Sequence, residues 1–288
     1  MNQPQVSFEF FPPQSLGASF RLWDTVRTLA PFAPEFVSVT YGAGGTTRDL
    51  THDAVDTIGA HYGLNVAAHL TCVGATRQET LRIADRYAEA GVREIVALRG
   101  DPPGGTGPFR PHPDGFGDSC ELIRALSDTG KFRVRVGAYP ETHPEAENAR
   151  QNIDWLKRKE NAGAVSAITQ FFFKAETFFR FRDTCTRAGV GIPIIPGILP
   201  VHNWAGARKF AARCGAAVPA DIARIFEKAT RSGDEKLLAV AICSELCTKL
   251  VEGGAESLHF YTLNRPELTR DVCRALGLEP ETALRKVA

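Results

Sequence analysis

Glu9 lies in the stretch VSFEFFPP, among Val6, Phe8, Phe10 and Phe11. Aromatic and β-branched residues of this kind fill a buried strand, and a carboxylate among them is costly to bury unless it is paired, protonated or used. Two readings stand for it: a structural acid paired with a buried arginine, or an acid that works on a ligand. Other polar residues close similar apolar runs. In chain order they are Thr40 and Tyr41, His69 and Thr71, Arg99 and Asp101, Tyr139 and His143, Gln170, and Tyr261 with Arg265. Each also has a plainer reading. His69 alone is a hydrogen-bonded core imidazole, and Tyr139 and Tyr261 cap a core with their rings. Gln170, an uncharged amide within AITQFFF, is as unusual in its run as Glu9. Arg99-Gly100-Asp101 also spells an adhesion tripeptide, which is out of place at the end of a buried strand.

Several chemistries are disfavoured by spacing. None of the seven histidines stands two or four residues from another, so the HxH pairs of barrel metallohydrolases are missing and no metal is expected. No lysine ends an apolar run, which argues against Schiff-base chemistry. GAGGTT at 42–47 lacks the third glycine of a dinucleotide-binding fingerprint, so any nucleotide cofactor must be held in another way. The seven cysteines are odd in number and form no CxxC pair, which predicts free thiols. Cys243 and Cys247 are four apart on one helical face, in a segment apolar enough to predict core packing.

The elements that must position these residues follow from periodicity. Eight apolar runs read as strands: QVSFEFF, EFVSVTYG, NVAAHLTC, REIVALRG, RVRVGAYP, AITQFFF, PIIPGIL and SLHFYTLN. Helical stretches run through 19–30, 49–61, 76–91, 119–128, 146–162, 176–188, 204–214, 219–229 and 234–252. In the third of these, Thr76 and Glu79 form a capping box and Gly91 supplies the stop. Eight buried parallel strands alternating with helices predict one α/β domain over residues 1–288, a (β/α)8 TIM barrel with extra helices, rather than an open doubly wound sheet. Chemistry in such a barrel sits where strands end, where the polar residues above fall. The Pro/Gly-rich segment 101–118 is too long for a plain connection and reads as a functional loop. A formal net charge of +1 without blocks of like charge predicts small-molecule partners, with no nucleic acid and no membrane. The N-terminus carries no basic-then-apolar leader, so a cytoplasmic protein is expected.

As a set, the strand-end strings resemble those of methylenetetrahydrofolate reductase of the short bacterial type. VSFEFFPP, FVSVTYGAGG, AAHLTC, IVALRGDPP, AYPETHPEA, LKRKENAGA, AITQFFF, IIPGILPV and HFYTLNRPE occur in order from about residue 5 to residue 277. The resemblance implies a catalytic barrel that binds FAD non-covalently, takes hydride from NADH or NADPH, and reduces 5,10-methylenetetrahydrofolate to 5-methyltetrahydrofolate by ping-pong turnover. That product supplies methyl groups for methionine synthesis. Glu9 matches the general acid that protonates N10 as the methylene bridge opens, and desolvation by Phe8, Phe10 and Phe11 is the expected reason for it to keep its proton. Asp101 matches an aspartate near both flavin and pterin. Gln170, Phe210, Tyr261 and Arg265 match positions facing folate or nicotinamide. Thr40, Tyr41, His69, Arg99, Gly100, Asp101, Gly117, Tyr139, His143, Ala146, Asn152 and Lys159 match the flavin site, with Lys159 and Arg99 as partners for pyrophosphate and flavin oxygens. A homo-oligomer without the regulatory domain of longer eukaryotic members is expected.

Three departures qualify the match. Asn152 replaces an aspartate that bonds FAD hydroxyls, Trp204 replaces a phenylalanine near the nicotinamide and folate face, and YGAGGTTRD differs from the common form after its second glycine position. Two rival readings remain: a related barrel flavoenzyme that oxidises an amine such as proline, and a non-catalytic folate-binding protein.

Overall fold

A computed structural model describes residues 3–41, 48–101, 109–143 and 145–281. The GAGGTT stretch at 42–47 and residues 102–108 of the long loop lie outside the described residues. Nine parallel strands form one sheet: β1 (Gln5–Phe10), β2 (Phe36–Val39), β3 (Val66–Thr71), β4 (Glu94–Leu98), β5 (Arg133–Ala138), β6 (Ala164–Thr169), β7 (Ile194–Ile195), β8 (Gly197–Ile198) and β9 (Ser257–Tyr261). Their order is β7-β6-β5-β4-β3-β2-β1-β9-β8. β7 and β8 are two halves of one barrel strand on either side of Pro196. The first half pairs with β6 and the second with β9, so the sheet closes on itself as the (β/α)8 barrel expected from the sequence.

Pro196 has no N–H to give the ladder, yet its carbonyl accepts from His259 N at 3.0 Å. Gly197 is required here because a Cβ would sit 2.1 Å from the Thr169 carbonyl oxygen and 2.7 Å from the Tyr261 ring. Its N–H donates to Thr169 Oγ1 at 2.9 Å.

Helices α1 (Leu16–Leu29), α2 (Arg48–Tyr62), α3 (Arg77–Glu89), α4 (Ser119–Asp128), α5 (Ala149–Asn161) and α6 (Ala175–Arg187) follow β1 to β6 in turn. α7 (Trp204–Cys214), α8 (Ala220–Ser232) and α9 (Glu235–Glu252) join β8 to β9, and α10 (Pro266–Ala275) closes the fold. Side chains of Ser15, Thr76, Asp118, Asn148 and Asn203 cap α1, α3, α4, α5 and α7. The capping box of Thr76 and Glu79 is formed, and Gly91 takes φ +84° beyond the helix end.

Strand alternation divides the core in two. Val6, Phe8 and Phe10 of β1 point outward onto Leu22, Val26 and Leu29 of α1 within the main core. Phe36, Ala67, Val96, Ile168 and Ile195 fill the barrel interior. The N-terminal mouth is plugged by charge: buried Arg135 bonds Glu94 at 2.5 Å, Ser166 at 3.0 Å and Glu35 at 3.1 Å, with its guanidinium 3.9 Å from the centre of the Phe36 ring. A structural acid paired with a buried arginine, one reading of Glu9, is therefore realised at Glu94.

Three expectations change. β6 spans 164–169 rather than AITQFFF at 167–173, because Gly163 (φ +111°) releases the chain into the sheet three residues earlier, and the phenylalanines that follow pack on helices. Gln170 thus stands just past the strand, its N–H still bonded to the Ala138 carbonyl at 2.8 Å. Residues 266–275 form a further helix, started by Pro266 in its first turn. Trp204 does not face the barrel mouth. It is 4% exposed and stacked on Phe226 at 4.6 Å, where α7, α8 and α9 pack together.

Candidate active site

Glu9 occupies the inner face of β1, in register with Ser38 of β2 and Tyr261 of β9. Its side chain is 14% exposed. Phe8 and Phe10 are on the opposite face of the strand, so they are not what surrounds the carboxyl. Its neighbours come from across the barrel: His69 Nε2 of β3 lies 3.4 Å from Oε2, and His259 Nε2 of β9 lies 3.9 Å from the same oxygen. Burial holds the His69 imidazole below its ordinary pKa, against the pull of Glu9 and with the help of His259. The Tyr261 phenol is pushed well above its ordinary range by burial and by Glu9, and donates to the Thr169 carbonyl at 2.7 Å.

The main chain beneath this acid is pinned from the last βα turn. Thr262 Oγ1 donates to the Glu9 carbonyl at 2.6 Å. Asn264, in the left-handed region at φ +51°, accepts from Phe11 N at 3.0 Å and donates to Phe11 O at 2.9 Å. A cleft of about 570 Å³ opens on this rim, lined by Phe11, Gln14, Arg21, Thr40, Tyr41 and Asn264 among others. Thr40 N donates to the Phe10 carbonyl, and the Thr40 carbonyl accepts from Thr51.

The ends of β4 and β5 bring a second group together. Arg99 forms a two-pronged ion pair with Glu145, which holds the guanidinium protonated and the carboxylate below its usual range. Gly100 takes φ +85° with a would-be Cβ 2.6 Å from Val73, so only glycine fits between Arg99 and the exposed Asp101. The Tyr139 ring meets His143 edge-on at 4.4 Å, and its phenol is pushed up to about 12 by burial first and then by Asp101. His143 anchors its own loop: Nδ1 accepts from Glu145 N, and its carbonyl accepts from Ala146 N. Gly117 N donates to Glu121. Lys159 Nζ reaches the Gly137 carbonyl at 2.7 Å, and burial lowers its amine to about 8. Asn152 donates to the Glu141 carbonyl at 2.9 Å and so fixes the turn after β5.

On the remaining side, Gln170 Oε1 accepts from Phe171 N at 3.0 Å. Phe210 of α7 stacks on Phe171 at 5.2 Å and 24°. Arg265 is exposed at the start of α10. The structure therefore places every candidate from the sequence at the C-terminal ends of the strands or on the segments that follow them. Among the described residues, no group of three or more His, Cys, Asp or Glu side chains is arranged to hold a metal ion.

The family model described as methylenetetrahydrofolate reductase matches residues 1–277. The chain belongs to this family. Proteins named 5,10-methylenetetrahydrofolate reductase from Salmonella typhimurium and Escherichia coli are each 43% identical to it over 279 residues, covering 96% of this chain and 92% of the relative. An Arabidopsis thaliana protein named methylenetetrahydrofolate reductase (NADH) 1 is 32% identical, covering 98% of this chain and 50% of its own length. A solved Clostridium thermocellum structure, described as an uncharacterized protein that binds two copies of 5-methyl-5,6,7,8-tetrahydrofolic acid, has the same fold. Its TM-score is 0.58 at 12% identity, covering 96% of this chain and 95% of that one.

Within this barrel, Ser7, His259 and Asn264 were not among the candidates taken from the sequence. A signal for His259 was present in SLHFYTLN: it stands two residues before Tyr261 and so shares its inward face.

Proposed function

We propose that the chain reduces 5,10-methylenetetrahydrofolate to 5-methyltetrahydrofolate with FAD and NADH or NADPH. Family membership supports the folate reaction, and the observation that carries the mechanism is Glu9, an acid on the inner wall of the barrel mouth beside two buried imidazoles. Buried polar atoms at this end support a polar ring ligand. Ser38 Oγ, His69 Nε2 and Thr71 Oγ1 are buried without a hydrogen-bond partner in the structure. Each such atom costs about 1–3 kcal/mol unless a ligand or water completes it.

FAD, when bound, would supply a two-electron carrier between nicotinamide and folate. Thr40, Tyr41, His69, Gly100, Tyr139 and His143 would hold it at the rim, and Lys159 would face its anionic groups. Arg99 would join Lys159 there in place of its present bond to Glu145. Asn152, with its amide spent on the Glu141 carbonyl, would act by shaping the turn. Glu9 delivers a proton to N10 of the folate, which lets the methylene bridge open to a cation on N5. The Asp101 carboxylate steadies that cation and orients the pterin. Phe210 and Gln170 provide one stacking face with an amide edge. A face shared by nicotinamide and folate in turn supports ping-pong turnover. The same family likeness supports a cytoplasmic homo-oligomer acting on small molecules.

The test is the visible spectrum of purified protein under anaerobic conditions. Bound flavin should bleach with NADH or NADPH and recolour with methylenetetrahydrofolate. Colourless protein that takes up no FAD would sink the proposal. Recolouring with an imino acid such as pyrroline carboxylate but not with folate would give the amine-oxidising reading instead, and folate binding without any flavin chemistry would give the carrier reading.

A further inference from the structure

Ser7 precedes Glu9 by two residues and shares its inward face, and its register partner on β9 is His259, which is wholly buried. His259 Nδ1 lies 2.8 Å from Ser7 Oγ. The same Oγ lies 3.4 Å from the Leu258 carbonyl. A serine hydroxyl has one proton to give, and a carbonyl can only accept. The 2.8 Å contact itself can run in either direction, and the Leu258 carbonyl offers the Ser7 proton a second acceptor; with the proton there, the Ser7 lone pair faces Nδ1 and Nδ1 carries the imidazole proton. In the neutral ring Nε2 is then a bare lone pair. That atom is buried without a hydrogen-bond partner, 3.9 Å from Glu9 Oε2. The ring is held in this orientation by Phe36, stacked at 5.6 Å and 15°, and by Tyr261, edge-on at 5.3 Å and 85°.

We propose that Ser7 and His259 form a tautomer lock, which turns the Nε2 lone pair of His259 toward Glu9 and so favours the protonated carboxyl that proton donation requires. This rests on the reading of Glu9 as the acid of the folate step. A bare imidazole nitrogen accepts from a carboxylic acid and opposes a carboxylate, whereas the other tautomer would donate to the carboxylate and favour its ionised form.

The other groups facing Glu9 bring no fixed positive charge to it. His69 from β3 is held toward its neutral form by burial. The Tyr261 hydroxyl gives its proton to Thr169. Ser38 from β2 is uncharged, and Val96, Leu98, Ile168 and Ile195 line the interior from β4, β6 and β7. Arg135 of β5 stands beyond the Phe36 ring and is paired with Glu94 and Glu35. Among the described residues, no lysine or arginine is within ion-pair distance of Glu9. Ser7 and His259 are thus positioning residues that act through Glu9.

Long-range 15N–1H spectra of histidine-labelled protein read the tautomer directly, with the His259 signals assigned by their loss in His259→Gln. The expected result near neutral pH is a proton on Nδ1. A proton on Nε2 overturns the proposal, and neither result depends on folate turnover. Ser7→Ala should release the lock, and an unchanged Nδ1–H tautomer in that variant also overturns it. In stopped-flow measurements, Ser7→Ala should move the pH midpoint of the folate half-reaction down by about one unit, which near pH 7.5 is about a tenfold loss recovered at lower pH. A loss of the same size at every pH would show a structural role only and overturn the proposal. Ser7→Thr, which keeps the hydroxyl, should retain the parent profile whether or not Ser7→Ala folds, and a shifted profile in this variant counts against the lock. A protein with the Nδ1–H tautomer and no folate chemistry would refute the proposed function while leaving the lock in place.

Discussion

The surroundings of Glu9 come from residues far away in sequence. Its exposure to the barrel mouth, with imidazoles from β3 and β9 within 4 Å, makes it the side chain whose loss should separate the two half-reactions most cleanly. Glu9→Gln keeps the shape and removes the proton. The folate half-reaction should fall on the order of a hundred- to ten-thousandfold, while flavin bleaching by NADH stays near its parent rate in anaerobic stopped-flow. Normal recolouring with folate would make Glu9 a structural acid. Lys159 carries a second prediction. Its amine titrates at about 8 in the fold, against 10.5 for an ordinary lysine, so between these pH values the unfolded chain binds more protons. Stability contributed through this group is therefore lowest while it is charged below about pH 8 and rises with pH across the window. An anionic ligand beside it should restore the proton. Calorimetry of FAD binding near pH 8.5, in buffers of differing ionisation enthalpy, should show uptake of roughly half a proton or more, absent near pH 6.5 and absent in Lys159→Met. Glu9 and Lys159 were legible in the sequence, one as an acid in an apolar strand and the other through a family string. That His69 and His259 both face Glu9 was not legible, because alternation hides Phe8 and Phe10 behind the strand and nothing local reveals what faces its other side.

Among the elements, the interrupted strand of β7 and β8 decides whether the barrel closes. Pro196 splits its ladder, and Gly197 lets the Tyr261 ring and the Thr169 carbonyl approach the backbone. Gly197→Ala forces a Cβ into both. The expected cost is about 3 kcal/mol, the upper end of overpacking, seen as a lower urea midpoint, and weakened FAD retention should accompany it because Tyr261 lies beside Glu9. A variant as stable as the parent would show that the closure is slack. PIIPGIL announced a strand, but its break could not be read from composition, since the reason for the glycine lies on β6 and β9. The shift of β6 has a similar origin. Phe171, Phe172 and Phe173 look like a continuation of the strand, and only their helix contacts take them out of the sheet. Helix boundaries fared better because caps are local: Thr76, Asp118 and Asn203 each bond an N–H two or three residues ahead.

Across the whole molecule, the two ends of the barrel divide the work. The N-terminal mouth is closed by Arg135, Glu94, Glu35 and Ser166, whereas the C-terminal mouth keeps unpaired polar atoms and the candidate acid. Removing one partner from a buried ion pair leaves an uncompensated charge. Glu94→Leu should cost about 3 kcal/mol or more in urea unfolding, and adding Arg135→Met should recover much of that loss. Additive losses in the double variant would place the energetics elsewhere. The barrel itself was readable because eight apolar runs alternate with amphipathic helices. This ion cluster was not, since Glu94 and Arg135 sit in different strands and each looks like an ordinary strand-end charge.

β1 lies between β2 and β9, and Thr262 and Asn264 fasten the backbone at Glu9 and Phe11. During synthesis, then, the acid emerges well ahead of the strand and turn that complete its surroundings. A nascent chain halted before residue 257 presents Glu9 without His259, without the turn that pins it and without a neighbour on one side of its strand. The candidate site is therefore completed only when β9 closes the sheet against β1.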